Sequence, residues 1–347
     1  MVTLTKAACF TDIHWGCKAN SEVHNRDCAE FIKWFCQHVT DDGKIDHIIF
    51  MGDWFEQRSA INISTLNYAY NGAKTINNLG LPVFFIVGNH DLYHRHTREI
   101  YSVVPFNEFQ NFTVINEPTV IKQIGNQTLL CPYLFHEEYP ELKKFRKLET
   151  WWGHFEFKGF VVTGSDMEMP VGPQHEQFEE QKHIVSGHFH KRQTKDNVIY
   201  MGNTFPLTFG DAGDNNRGMM TYDHETDDIV FINWADCPKF TKTSLNDIVD
   251  GKIKLHSNAR VKCVTDVRIS FEESTTLKQL MTDKYNLREF VFEEPREIRE
   301  AVSGTETSVN TKDELATVDE LVQRMLQDIN SEHINNQTLI DIYKTLK

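Results

Sequence analysis

Short apolar runs separated by longer amphipathic stretches set the plan of this chain up to about residue 235. Ala7–Phe10 is an apolar run that stops at Thr11-Asp12 and reads as a strand. Residues 25–39 place Phe31, Ile32, Phe35 and Val39 on one face of a helix. His47–Met51 reads as a buried strand ending at Gly52-Asp53, residues 64–79 as a second helix, and Pro82–Val87 as a strand ending at Gly88-Asn89. Strand and helix alternating at this spacing predict a layered α/β sheet. Further strands are expected at 113–115, 120–124, 128–133, 159–163, 184–186, 198–201, 219–222 and 229–234, with Gly125-Asn126 as a hairpin turn. The second half is therefore expected to be rich in hairpins, as in a two-sheet sandwich flanked by helices.

The pattern breaks around residues 236–245, at Cys237-Pro238-Lys239. A main domain over 1–235 and a smaller α+β unit over 236–302 are expected, the latter with a strand at 261–271, a helix at 274–285 and a strand at 289–292. Residues 303–313 (SGTETSVNTKD) have no apolar period and read as a linker. The tail, 314–347, reads as helical. Thr317 and Glu320 form a capping box, and Val318, Leu321, Val322, Met325, Leu326 and Ile329 follow a helical period. Leu339, Ile340, Tyr343 and Leu346 add a second stripe. This apolar face either packs on its own domain or docks on a partner, and the polar linker before it favours docking.

Composition narrows the class. Of 347 residues, 40% are hydrophobic and 25% charged, as in a globular protein. No apolar run is long enough to span a membrane. The first ten residues read as the opening strand rather than a signal peptide, so a cytoplasmic location is expected (the host cytoplasm for a phage protein). Seven cysteines, an odd number with no C-x-x-C pair, suit reduced buried thiols. The net charge of −14 argues against a nucleic-acid partner, because phosphate contacts need cations. Two local clusters run the other way: His94-Arg95-His96 with Arg98, and Lys191-Arg192. They either hold a phosphate backbone near the functional pocket or are solvated loops. Lys143, Lys144, Arg146 and Lys147 read as a solvated helix face.

The candidate chemistry sits where the strands stop. Asp12-Ile13-His14, Gly52-Asp53, Gly88-Asn89-His90-Asp91, Gly153-His154 and Gly187-His188-Phe189-His190 share that setting. In a layered α/β sheet such ends converge. Two divalent ions about 3.5–4 Å apart need a bridging carboxylate, for which Asp53 is the candidate. Asp12 and His14 suit one ion. Asn89, His154 and His188 suit the other, and His190 returns to the first. Alternation in D-x-H and H-x-H would put both side chains on one side of an extended segment. The preceding glycines would allow tight turns. A nitrogen-and-oxygen donor set without thiolate favours manganese, with iron, zinc or magnesium as alternatives.

These motifs, in this order, resemble the calcineurin-like metallophosphoesterase superfamily, and the resemblance covers roughly residues 5–235. The resemblance implies a four-layer α-β-β-α sandwich and phosphoester hydrolysis by a two-metal-activated hydroxide. Phe50-Met51-Gly52-Asp53-Trp54-Phe55 and Leu81–Asp91 are similar to the SbcD-type nuclease subunits of double-strand-break repair complexes, bacteriophage relatives included. That likeness implies a DNA exonuclease or endonuclease acting in repair or recombination. It also implies an SbcC-type coiled-coil ABC ATPase partner, self-pairing through the 64–79 and 92–109 regions, and a DNA-contacting cap at 236–302. The cellular family carries a histidine three residues after the second-motif aspartate, where this chain has Glu56. His90, next to the Asn89 ligand, is expected to stabilise the transition state and protonate the leaving oxygen. Asp91 either orients that imidazole or caps the following turn.

Two other readings compete. One is a small-diester or other phosphoester hydrolase of the same fold. A phosphoprotein phosphatase would carry D-R-G after the second motif, whereas this chain has Asp53-Trp54-Phe55-Glu56-Gln57-Arg58-Ser59. The other is a non-catalytic scaffold, which would be marked by missing ligands.

Overall fold

The computed structural model describes residues 3–162, 167–265 and 271–293, together with residue 337. The described residues up to Glu293 form one compact unit. Apart from Gln337, the expected linker, the Thr317–Glu320 capping box and the tail stripes lie outside the described residues.

The first half runs β1 (Lys6–Phe10), a short turn α1 (Cys17–Asn20), α2 (Glu22–Asp42), β2 (His47–Phe50), α3 (Ile63–Asn77), β3 (Val83–Ile86) and β4 (Phe112–Ile115). α2 starts where Ser21 accepts from the His24 amide and stops at Gly43, whose φ of 64° ends the helix. It buries Phe31, Ile32, Phe35 and Val39, with the Phe35 ring 4.6 Å from that of Phe10 on β1. Next come β5 (Thr119–Ile121), β6 (Thr128–Cys131), β7 (Thr150–Gly153), β8 (His183–Ser186), β9 (Gln193–Lys195) and β10 (Val198–Tyr200). β11 (Gly218–Asp223) and β12 (Ile229–Asn233) return to the first sheet.

Two six-stranded sheets result, ordered β12-β11-β1-β2-β3-β4 and β5-β6-β7-β8-β10-β9. Period-two alternation divides the second sheet between two cores. Leu130, Trp152, Val185 and Ile199 join the main core shared with the first sheet. Leu129, Cys131, Trp151, Ile184, Val198 and Tyr200 face the other way. There they meet Tyr139, Leu142 and Phe178, carried on the 3-10 segments His136–Phe145 and His175–Phe178. The outer layer on this side is thus built of 3-10 turns where helices were expected.

Several expectations need correction. The second sheet is not mainly hairpins, since β6, β7, β8 and β10 pair in parallel. The β5–β6 hairpin around Gly125 is present. The strand expected at 159–163 is only an isolated Val161–Glu168 bridge among the described residues. β7 was expected only as a strand end before Gly153-His154, and its range was not given, because Thr150-Trp151-Trp152-Gly153 is too short to show a period. The 261–271 strand stops at Val264, and Phe271 instead opens a helix.

The third sheet has three parallel strands, β13 (Phe240–Ser244), β14 (Arg260–Val264) and β15 (Glu289–Glu293), with α4 (Leu245–Val249) and α5 (Phe271–Tyr285) as connections. β13, with Thr241, Lys242 and Thr243 in its middle, is polar enough to pass for a loop. The small sheet has its own core, including Val261, Cys263, Met281 and Phe290. It is tied to α2 by Arg288 and Arg260, which pair with the carboxylate of Asp27. All seven cysteines are free and buried. No described helix is long and apolar enough to cross a membrane.

Candidate metal centre

β1, β2 and β3 are parallel neighbours in one sheet, and β7 and β8 in the other, so their carboxyl ends open on one side. Asp12 and His14 follow β1, Asp53 follows β2, and Asn89 and His90 follow β3. His154 follows β7, and His188 and His190 follow β8. The segments are not extended as expected. Asp12, His14, Asp53 and His188 have φ of 52°, 51°, 60° and 85°, the left-handed region that costs a non-glycine residue backbone energy. These kinks turn each side chain back over the strand end. The glycines are needed for close approach as well as for turning. A Cβ on Gly88 would overlap the Asp53 amide and Oδ1, and one on Gly187 would overlap Thr11 Oγ1.

Seven polar side chains converge. His14 Nε2 lies 3.1 Å from His190 Nε2, 3.7 Å from Asp53 Oδ2 and 3.8 Å from Asp12 Oδ1. Asn89 Oδ1 lies 2.8 Å from His154 Nε2 and 2.9 Å from His188 Nδ1. Asp53 Oδ2 lies 3.4 Å from His154 Nε2 and so stands between the two clusters. Donor atoms of Asp12–His14–His190, of His14–Asp53–His90 and of Asp53–His154–His188 each lie within 4.8 Å of one another, close enough to share a cation, and the groups overlap through His14 and Asp53. Asp12, His14, Asp53 and His154 are buried, while Asn89, His90, His188 and His190 are partly open to solvent.

The nitrogens that face outward have acceptors. His154 Nδ1 donates to the Met51 carbonyl at 2.7 Å and His90 Nδ1 to the Glu56 carbonyl at 2.8 Å. His14 Nδ1 lies 2.8 Å from the Glu56 carboxylate, and His188 Nε2 lies 2.9 Å from that of Glu156. A proton held outward leaves an inward lone pair, so the donor set suits two divalent cations. Sequence reasoning missed Glu156. His154-Phe155-Glu156 carried the signal, since the glutamate sits two positions beyond a ligand candidate.

Asp91 neither orients His90 nor caps the following turn, contrary to both expectations. Its Oδ2 accepts from the Asp53 and Gly88 amides, and its Oδ1 from the Trp54 and Phe55 amides, all at 3.0–3.1 Å. It shapes the loop that carries Asp53. The Asp53 carboxylate in turn accepts from the His90 amide at 2.8 Å.

The expected DNA-binding residues divide. Arg98 is bound to the Glu138 carboxylate and the Tyr133 carbonyl, and Arg192 to the Met201 carbonyl and Asn233, stacked on Phe231. Both brace the fold instead of reaching into solvent. Arg95 and Lys191 are exposed.

Burial opposes charge on His14 and His154, yet the nearby carboxylates outweigh it. Glu56, Asp53 and Asp12 raise His14 to about 9, and Asp53 and Asp12 raise His154 to about 9. Burial works against the Asp53 carboxylate too, but His154, His90 and His14 hold it well below the usual range. Both shifts favour the protonated imidazole at pH 7, so a cation taken up through these nitrogens would have to displace protons. Titrating a divalent cation into the apo protein at pH 7 should release protons, and affinity should rise with pH up to about 9 and then level off. Calorimetry in buffers of different ionisation enthalpy reads this directly. A pH-independent affinity between 6.5 and 9 would contradict it.

A parallel-stranded α/β sandwich with an aspartate between two nitrogen-and-oxygen clusters defines a dinuclear-type hydrolase centre. The calcineurin-like phosphoesterase family model matches residues 5–192, more than half of the chain, and the chain belongs to that dimetal-dependent family. Exonuclease subunit 1 of Enterobacteria phage T4 is 30% identical over 225 residues, which cover 64% of this chain and 65% of that protein. An archaeal phosphodiesterase structure aligns at TM-score 0.37 and 12% identity over 66% of this chain and 99% of its own. A dimetal phosphatase from Danio rerio aligns at TM-score 0.42 and 9% identity over 64% and 93%.

Proposed function

We propose that this chain is the nuclease subunit of a DNA repair or recombination complex, hydrolysing DNA phosphodiester bonds with two divalent ions, manganese by preference. The observation that carries the reading is Asp53, a buried carboxylate facing His154 on one side and His14 on the other. Asp12, His14, Asp53 and His190 would hold one ion, and Asp53, Asn89, His154 and His188 the other. Bound ions would supply Lewis acidity and a nucleophile at neutral pH. His90 keeps Nδ1 on the Glu56 carbonyl, and its Nε2 makes no hydrogen bond among the described residues. A protonated His90 would give that proton to the leaving oxygen. The T4 relative, named as an exonuclease subunit, supports DNA as substrate.

A cationic cleft supports it too. Lys239, Lys242, Lys254 and His256, with Phe209 and Phe240, line a cavity of about 300 Å³ that no carboxylate side chain lines. Lys18, four residues beyond His14, stands 4.3 Å over the Phe240 ring. Cations among aromatic faces suit a nucleic-acid strand. Ile63, Leu66 and Tyr70 are exposed on α3 and would serve self-pairing. The tail would dock an SbcC-type ATPase.

The test is cleavage of end-labelled duplex and single-stranded DNA with manganese or magnesium, beside a small chromogenic diester. His90→Ala should slow DNA cleavage about 10²–10⁴-fold. A triple variant at Lys239, Lys242 and Lys254, all to alanine, should lose DNA cleavage and keep diester turnover. Diester turnover by the parent with DNA left intact would replace this reading with that of a small-diester hydrolase.

A further inference from the structure

We infer that Glu56 and Glu156 are paired positioning residues, one for each ion site, which clamp His14 and His188 through their outward nitrogens. The inference rests on the two-ion reading of the centre.

The two histidines enter the centre in opposite senses. His14 points Nε2 inward, 3.1 Å from His190, and sets Nδ1 2.8 Å from the Glu56 carboxylate. His188 points Nδ1 inward, 2.9 Å from Asn89 Oδ1, and sets Nε2 2.9 Å from the Glu156 carboxylate. A ring used through either nitrogen needs an acceptor placed for the other, or it populates the tautomer whose proton faces the cation. His154 and His90 find such acceptors in backbone carbonyls. Of these four rings, His14 and His188 find carboxylates, and they belong to different clusters.

Both glutamates stand on prepared ground. The Glu56 amide donates to the Trp15 carbonyl at 3.0 Å, so its backbone is fastened beside His14, and its own carbonyl receives His90. One residue thus sets the orientation of a ligand candidate and of the proposed proton donor. The Glu156 segment is held by three hydroxyls: Ser186 Oγ accepts from the Phe155 amide, Tyr139 Oη from Glu156 and Tyr200 Oη from Phe157. The other Glu156 oxygen lies 2.8 Å from His136 Nε2, which fixes its rotamer. Among the described residues, neither glutamate belongs to a group of donors close enough to hold a cation.

Charge points the same way. The inward donors include two carboxylates, Asp12 and Asp53, against four positive charges for two divalent ions. Asp91, the other buried carboxylate here, is taken up by backbone amides. Glu56 and Glu156 add the missing negative charge where it also makes the imidazoles more basic.

The experiment is calorimetric titration of manganese into the full chain, with electron paramagnetic resonance to count bound ions. Parent, Glu56→Gln, Glu56→Ala, Glu156→Gln and Glu156→Ala are compared, with His14→Ala and His188→Ala as markers of each binding step. Glu56→Ala should weaken the step that His14→Ala removes by about 10–100-fold, and Glu156→Ala the step that His188→Ala removes. Glutamine keeps an acceptor oxygen without the charge, so its loss should be smaller than that of alanine. If an alanine variant fails to fold, the glutamine variants decide. Two binding steps in the parent, unchanged in all four glutamate variants or weakened in the wrong order, overturn the clamp. A parent that binds no ion fails the two-ion reading itself, a different result.

Discussion

Asp53→Asn is expected to empty both ion sites and slow phosphodiester hydrolysis at least about 100-fold while leaving the fold intact. The side chain is buried, and its two oxygens have separate duties. Oδ1 accepts from the His90 amide at 2.8 Å, while Oδ2 faces His154 Nε2 at 3.4 Å and His14 Nε2 at 3.7 Å. Asparagine can keep the first contact, so the loop after β3 stays in place. It must turn an amide donor toward the two imidazoles and any cation between them. Ions held in such a centre would supply several kcal/mol of transition-state charge stabilisation, and each ~1.4 kcal/mol lost is a factor of ten in rate. His14 and His154 also lose the carboxylate that raises both. Bound metal measured by mass spectrometry, beside turnover of DNA and a small diester, gives the readout. Two ions retained with parental turnover would show that Asp53 does not bridge.

The side chains that converge were legible in sequence because each follows a strand, and strand ends are where a layered sheet gathers distant side chains. How they gather was not legible. The D-x-H and H-x-H spacing suggests extended alternation, yet Asp12, His14, Asp53 and His188 are in left-handed backbone. Asp, Asn and His tolerate that region better than most residues, so the same letters fit either geometry. Long-range support was also hidden. Glu156 meets His188 across 32 residues, and Arg98 meets Glu138 across 40. An isolated arginine after a motif looks the same whether it awaits a phosphate or braces a loop.

The fold shows the same division. Phe31, Ile32, Phe35 and Val39 announced α2 because one face of a long helix is buried. The bounds of β7 and the whole of β13 stayed hidden, the first because it is short and buried on both faces, the second because its middle is threonine and lysine. Parallel pairing in the second sheet could not be read from runs of three or four residues, since a buried hairpin strand carries the same composition.

Asp91→Ala is expected to lower the unfolding free energy by about 4 kcal/mol or more, the largest stability effect of any substitution near the centre. Four backbone amides, of Asp53, Trp54, Phe55 and Gly88, lose their acceptor together. Each buried unsatisfied donor costs about 1–3 kcal/mol, and alanine offers no acceptor to any of the four. Asp91→Asn is milder but still destabilising, because its NH₂ must face two of these donors. The pH dependence separates charge from geometry. Burial and the neighbouring Asp53 raise the Asp91 carboxyl to about 6, so between about 4 and 6 the folded chain holds a proton that the unfolded chain has lost. The parent therefore loses stability from this group as pH climbs through that window, and Asp91→Asn removes that slope. Denaturant unfolding of metal-free parent and variants at pH 4.5, 6 and 7.5 tests both points. A loss below about 1 kcal/mol in Asp91→Ala would mean that water or another acceptor reaches these amides. A parent-minus-asparagine difference independent of pH would mean that the carboxyl titrates as it does in the unfolded chain.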